Sequence, residues 1–223
     1  MVLAGHGLIG TLSRMFQRTL SLLLACILLL SLGGCEGEEE QAIRDCYLKF
    51  ATACENYDPD AAIQALSPDA IEHYDTLLQI AKNATGDQVR ALPPHSLFDV
   101  AYIRHALPAH ERQTMDGTGF IRHMVSNGLW VRPGGWEILE KIKVRKSSAT
   151  AVVPSDRPNS DVKLDFLLVD GGWKIDFIRF QEDRSRLLMA RASDEGIELV
   201  PLFMRLLELK TGKAPRKDLL DRP

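Results

Sequence analysis

Val162-Lys163-Leu164-Asp165-Phe166-Leu167-Leu168-Val169-Asp170-Gly171-Gly172-Trp173-Lys174-Ile175-Asp176-Phe177 is the stretch whose reading decides the fold. Two runs rich in β-branched and aromatic residues flank a turn signal, Asp170-Gly171-Gly172, so the stretch reads as a β-hairpin. Side chains alternate faces along a strand, which places Val162, Leu164, Phe166, Leu168, Trp173, Ile175 and Phe177 together on one face. Asp165 and Asp176 take the opposite parity, with Leu139, Leu167, Val169, Ile178 and Phe180. Working outward, 136–145 and 149–153 read as two earlier strands, and the last strand is expected to run to Phe180. The turn-rich Ser155-Asp156-Arg157-Pro158-Asn159-Ser160 breaks the series before the hairpin. The four strands form an antiparallel meander whose inner face also carries Trp136, Ile138, Ile142 and Val144.

Everything before the meander has helical spacing. Ile43, Cys46, Tyr47, Phe50, Ala53, Cys54 and Tyr57 form one continuous apolar stripe. Asp58-Pro59 and Ser67-Pro68 each offer a capping side chain followed by a proline suited to the first helical position, so two more helices start there. The second carries Ile71, Tyr74, Leu77, Leu78 and Ala81 and ends between Asn83 and Gly86. Further helices are expected at about 96–107 and 118–128, between the breaks at Pro93-Pro94, Pro108 and Pro133-Gly134-Gly135. Beyond the sheet, 183–192 and 197–210 read as helices, with Asp194 able to cap the second. Its apolar face, Leu199, Leu202, Phe203, Leu206 and Leu207, is expected to cover the outer face of the sheet rather than lie on a membrane. The fold class is α+β.

The first thirty-odd residues read as a processing segment. Arg14 and Arg18 flank an uncharged run from Leu20 to Leu32 that is short for a bilayer span, and it ends in Leu32-Gly33-Gly34-Cys35. That ending resembles the lipobox of bacterial lipoproteins, in which the cysteine thiolate accepts a diacylglyceryl group and a peptidase cuts before it. The resemblance implies that Cys35 is lipidated and partners with the bilayer on its non-cytosolic side. Glu36, where an Asp would favour retention in the inner membrane, points to the outer membrane facing the periplasm. The divisions expected are a signal segment at 1–34, a short tether at 35–40, the main domain at 41–181, a helical extension at 182–210 and a polar tail at 211–223.

Cleavage there would leave 189 of the 223 residues, enough for one domain with a core. Two of the 27 basic residues would go with the leader, leaving 25 against 30 acidic and a formal balance of −5. No Lys/Arg cluster suited to a phosphate backbone is present, so nucleic acid is not an expected partner. Cys46 and Cys54 stand eight residues apart in one expected helix, about 12 Å along its axis, which excludes a disulfide between them and leaves them as small buried hydrophobes. His73, His95, His105, His110 and His123 show no zinc-type helical spacing and no supporting cysteine or acid cluster, so neither a metal nor another cofactor is expected.

Helices first, then a meander closing in Asp170-Gly171-Gly172-Trp173-Lys174-Ile175-Asp176-Phe177, resembles the nuclear transport factor 2-like superfamily, which includes the SnoaL and ketosteroid-isomerase-like cones. The likeness covers about 38–181. The opening helix and the following Asp58-Pro59-Asp60-Ala61-Ala62-Ile63-Gln64-Ala65-Leu66 are similar to that family's first segment. It implies a cystatin-like cone in which a curved antiparallel sheet wraps around the first helix and leaves a pocket at the open end. The family's common early strand is not found, and the helices after Asp183 are additional. Members include isomerases, dehydratases and cyclases beside many that only bind or assemble, so the fold does not select the function.

Isomerase-like chemistry needs an inward carboxylate with donors aimed at a developing oxyanion. Asp165 and Asp176 point outward by parity. Glu140 and Arg179 interrupt the inward parity of their strands, so they either line the pocket mouth or are carried to solvent by twist or a bulge near the strand ends. His73 with Tyr74, and Tyr102 with His105, are the candidate donors, each also readable as a partly buried helix residue. The leading expectation is a non-catalytic envelope module that binds a small apolar ligand, a peptide or a protein partner. The alternatives are an isomerase, dehydratase or cyclase using Glu140, and a structural homodimer paired through the outer sheet face.

Overall fold

The computed structural model describes residues 34–130, 139–154 and 161–221, and of 34–36 only the backbone. Residues 1–33 of the signal segment, the expected strand positions Trp136 and Ile138, and the 155–160 turn therefore lie outside the described residues. The chain divides into two units, Met1–Gln41 and Ala42–Pro223. Among the described residues the architecture is α+β, with helices on either side in sequence of a curved four-stranded antiparallel sheet.

Helix α1 spans Gly34–Glu55, so the stretch expected as a separate tether is already helical. Asp58 and Ser67 cap the next two helices, each accepting a backbone N–H at 3.1 Å, from Ala61 and Ala70. Proline follows each cap, and the helices are α2 (Pro59–Gln64) and α3 (Pro68–Asn83). A short α4 (Gly86–Arg90) follows at once, started by a reciprocal capping box between Thr85 and Gln88. Helices α5 (Pro94–Ala106), α6 (Ala109–Thr114) and α7 (Gly117–Ser126) complete the set before the sheet. Helix α7 crosses α3 where Gly117 has no side chain: a Cβ there would stand 2.5 Å from the Ile71 carbonyl oxygen.

The strands run β1 (Glu140–Arg145), β2 (Ser148–Val153), β3 (Val162–Val169) and β4 (Gly172–Asp176), in that spatial order. Asp170 and Gly171, the two residues between β3 and β4, both have positive φ, 50° and 78°, the conformation whose twist matches paired strands. Leu164, Phe166, Trp173, Ile175 and Phe177 are buried as the alternation requires, while Leu168, at the far end of the same face, is 38% exposed. Helix α1 rests on this face: the Cys46 thiol donates to the Trp173 carbonyl at 3.1 Å, and the Phe50 and Phe177 rings meet edge-on with centroids 5.5 Å apart.

Four expectations are corrected. The last strand ends at Asp176, whose carboxylate accepts the Ile178 N–H at 3.1 Å and starts α8 (Ile178–Asp194), so Ile178, Arg179 and Phe180 are helical. Leu139 is buried rather than outward, because pairing of β1 with β2 shifts register between Glu140 and Lys143, and Lys141 has a φ of 50°. Helix α9 (Leu199–Thr211) is preceded by Glu198, with no side-chain cap from Asp194, and it packs on α5 and α8 rather than over the outer sheet face. Phe203 meets Phe98 of α5 at 5.4 Å. The tail is also not wholly polar: Leu219 and Leu220 are buried in the core.

An early pairing segment does exist, reduced to one residue. Leu66 forms a parallel bridge to Ile175, with Ile175 N–H donating to Ala65 at 2.8 Å and Ser67 N–H donating to Ile175 at 2.9 Å. Among the described residues no helix is long and apolar enough to cross a membrane.

Candidate functional site

Helix α5 carries the run His95-Ser96-Leu97-Phe98-Asp99-Val100-Ala101-Tyr102-Ile103-Arg104, and every one of these residues is buried. A carboxylate in such a run is costly unless a cation and hydrogen bonds meet it. Arg184, on α8, supplies both: Nη1 donates to one Asp99 oxygen and Nη2 to the other, each at 3.2 Å. Nη1 also donates to Gln181 Oε1 at 2.7 Å, and Gln181 Nε2 donates to the Tyr74 hydroxyl at 3.4 Å. Burial works against the Arg184 charge, yet the neighbouring Asp99 and Tyr74 outweigh it and hold the guanidinium above its ordinary pKa. Burial, then Asp99, raises the Tyr74 phenol well above its usual range.

This ion pair stands in the wall of a cavity of about 1380 Å³, bounded by α1, α3, α5, α7, α8, α9 and the inner face of the sheet. Phe50, Tyr74, Phe98, Tyr102, Phe120 and Phe177 give it an aromatic lining, and Trp130 closes against Phe50 and Phe177 at 5.9 and 5.5 Å between ring centroids. Lys210, near the end of α9, reaches the same wall. Its Nζ lies 5.4 Å from the Tyr102 ring centroid and donates to the Leu129 carbonyl at 3.4 Å. Burial pushes the Tyr102 phenol up to about 12, and its oxygen stands 3.3 Å from His123 Nε2.

Beside the cavity, α3, α5 and α8 enclose a second polar string. His95 Nδ1 is 2.7 Å from Ser185 Oγ, and Nε2 is 2.9 Å from Ser96 Oγ. Burial lowers the His95 pKa to about 4, leaving it a neutral ring with both nitrogens engaged. His73 lies 6.1 Å from it, ring to ring, and burial lowers its pKa as well. The buried His73 Nε2 has no hydrogen-bond partner among the described residues.

Of the residues singled out in the sequence, Tyr74 and Tyr102 do line the cavity and His73 stands behind Tyr74, while the others go elsewhere. His105 faces the tail, 2.8 Å from Thr211 Oγ1. Glu140 is exposed at the irregular start of β1, and Arg179 is exposed in the first turn of α8, so neither lines the cavity. Cys35 falls in the first turn of α1 with its side chain outside the described residues. Asp165 does face outward, accepting from Thr150 Oγ1 at 2.8 Å and pairing across the strands with Asp176, whose carboxyl is raised by burial and by neighbouring acids. Burial pushes Cys46 up to about 11 and Cys54 up to about 12, so both are protonated, unreactive thiols at neutral pH.

The sequence reading passed over Asp99, Arg184 and Lys210. The signal for Asp99 was present, as an acid inside an apolar helical run that requires a partner. Nothing local pointed to the arginine that answers it. No cluster of three or more potential metal ligands assembles among the described residues. The chain matches no known protein family, and neither a characterised protein nor a solved structure matches it significantly. What the arrangement can do is bind: a roomy aromatic enclosure holds apolar matter, and a few fixed polar groups orient it.

Proposed function

We propose that this protein is a non-catalytic binding module of the cell envelope, tethered by lipid on Cys35 and using the aromatic cavity as its binding site. The observation that carries the reading is the cavity itself, a space of about 1380 Å³ lined mainly by aromatic and aliphatic side chains with a few fixed polar groups. We read the domain as a nuclear transport factor 2-like cone. Supporting this are the opening helix laid on the inner face of an antiparallel meander and the hairpin that closes it. Placement on the non-cytosolic side, at the outer membrane, rests on the leader, the lipobox and Glu36. Binding is preferred over isomerase, dehydratase or cyclase chemistry because Glu140 is away from the cavity, and of the lining carboxylates Asp99 has both oxygens taken by Arg184 and Glu195 is held by Arg191 and Arg205.

Two measurements test the proposal. Labelling with radioactive palmitate should mark the chain, and Cys35→Ala should abolish the label and release the protein from membranes; an unlabelled chain would remove the anchor. A neutral apolar fluorophore, N-phenyl-1-naphthylamine, should brighten on the purified chain more than on lipid alone. Leu188→Lys, which sets an ammonium in the cavity wall at a half-exposed helix position, should cancel that gain without changing far-ultraviolet circular dichroism. Equal brightening by both proteins would count against the cavity.

A further inference from the structure

Where α5, α8 and α9 meet, the cavity wall brings Arg184, Lys210 and Asp99 together. Two cations, Arg184 and Lys210, share that region with one carboxylate, Asp99, and Arg184 takes both of its oxygens. Lys210 makes no ion pair among the described residues; its Nζ contacts only a carbonyl oxygen and the face of Tyr102. The other charged lining groups are Arg191, Asp194 and Glu195. Glu195 is held by Arg191 at 2.8 Å and by Arg205. Arg184 and Asp99 are the charged neighbours that act on Lys210, and Asp194 also lines the cavity. The Lys210 ammonium stands against the Tyr102 ring and the Leu129 carbonyl, in a wall whose other lining is mainly aromatic and aliphatic.

We infer that the cavity takes an anionic amphiphile, its acidic head group on Lys210 Nζ and its apolar body against Tyr102, Phe98, Phe50 and Trp130. The inference rests on the cavity being a binding site and adds the class of ligand. A charged oxygen at Nζ would replace the long 3.4 Å contact to Leu129 with a charge-assisted hydrogen bond. Lys210 is exposed overall, so an entering head group can reach it from solvent. Carboxylate and phosphate monoester heads share this chemistry.

The test uses the full chain in phosphatidylcholine vesicles with four ten-carbon probes that carry a terminal diazirine and differ in head group: decanoate, decyl phosphate, decanol and decyltrimethylammonium. Irradiation followed by peptide mass spectrometry maps the cross-links. At least one acid should label peptides containing Phe50, Phe98 or Trp130 about tenfold more than decanol does, the factor expected of one charge-assisted hydrogen bond. Which acid does so identifies the head group. Lys210→Gln should erase that preference and Lys210→Arg should restore it. If decanol or decyltrimethylammonium labels as strongly as the acids, or if Lys210→Gln keeps the preference, the inference fails and the binding site stands. If no probe reaches the cavity peptides, the binding reading fails with it.

Discussion

Asp99 is 7% exposed, and its partner lies 85 positions away in the chain, so its ionised form is tolerable only in the folded arrangement. Breaking such a pair from one side strands a charge, which costs more than the pair itself contributes. Asp99→Asn should therefore destabilise the protein by about 3 kcal/mol, read as a lower urea midpoint. Adding Arg184→Met should recover part of the loss, because the stranded guanidinium is gone. A double mutant no better than Asp99→Asn alone would show that Arg184 is held by other contacts. Arg104 shows the same logic without an acid. It is buried, and it donates to the carbonyls of Ala81, Ala84 and Leu220 at 2.7–3.0 Å, covering the open end of α3 and clasping the tail. Residue types alone did not reveal these roles, since a buried arginine and a solvated one look identical in sequence.

At the scale of elements, what could be read from the chain was what lies within one turn of helix or one strand repeat. The caps at Asp58 and Ser67, the stripe of α1 and the Asp170-Gly171 turn are local patterns, and each forms as its pattern requires. The Thr85/Gln88 capping box was equally local but sat in a stretch read only as a helix end. For Glu140 and Arg179 the second alternative, exposure near the strand ends, is the one the chain takes: parity extrapolates a strand indefinitely, whereas the register shift by Lys141 and the helix that begins at Ile178 reset it. Gly117 carries the element-scale prediction. Helix α7 approaches α3 so closely there that an added methyl group meets backbone, which cannot swing away. Gly117→Ala should cost about 1–3 kcal/mol, seen as a lower thermal midpoint with the helix content retained, despite the usual gain from alanine in a helix. An unchanged midpoint would mean that the two helices part freely.

The molecule as a whole packs α8 on both β3 and α5, with α9 on α5 and α8, and so encloses neutral histidines. His73, His95 and His123 all have pKa values lowered chiefly by burial. An unfolded chain takes up protons at these sites once the pH drops below about 6.5, whereas the folded chain resists down to about 4 at His95. Stability should therefore fall between those two values, and the urea midpoint should be lower at pH 4.5 than at pH 7. Asp176, raised in the fold, acts in the opposite sense in the acid range, so the histidine contribution is isolated by His95→Gln, which should flatten the profile. A profile unchanged by that substitution would exclude His95 as a source. Taken alone, the sequence determined the α+β order, the starts of α2 and α3 and the faces of the central strands, because each depends on neighbours within a few positions. The cavity, the Asp99–Arg184 pair, the place of the Lys210 ammonium over Tyr102 and the burial of Leu219 and Leu220 were decided only by tertiary structure. They join segments separated by tens of residues, and no short window contains both halves of such a contact.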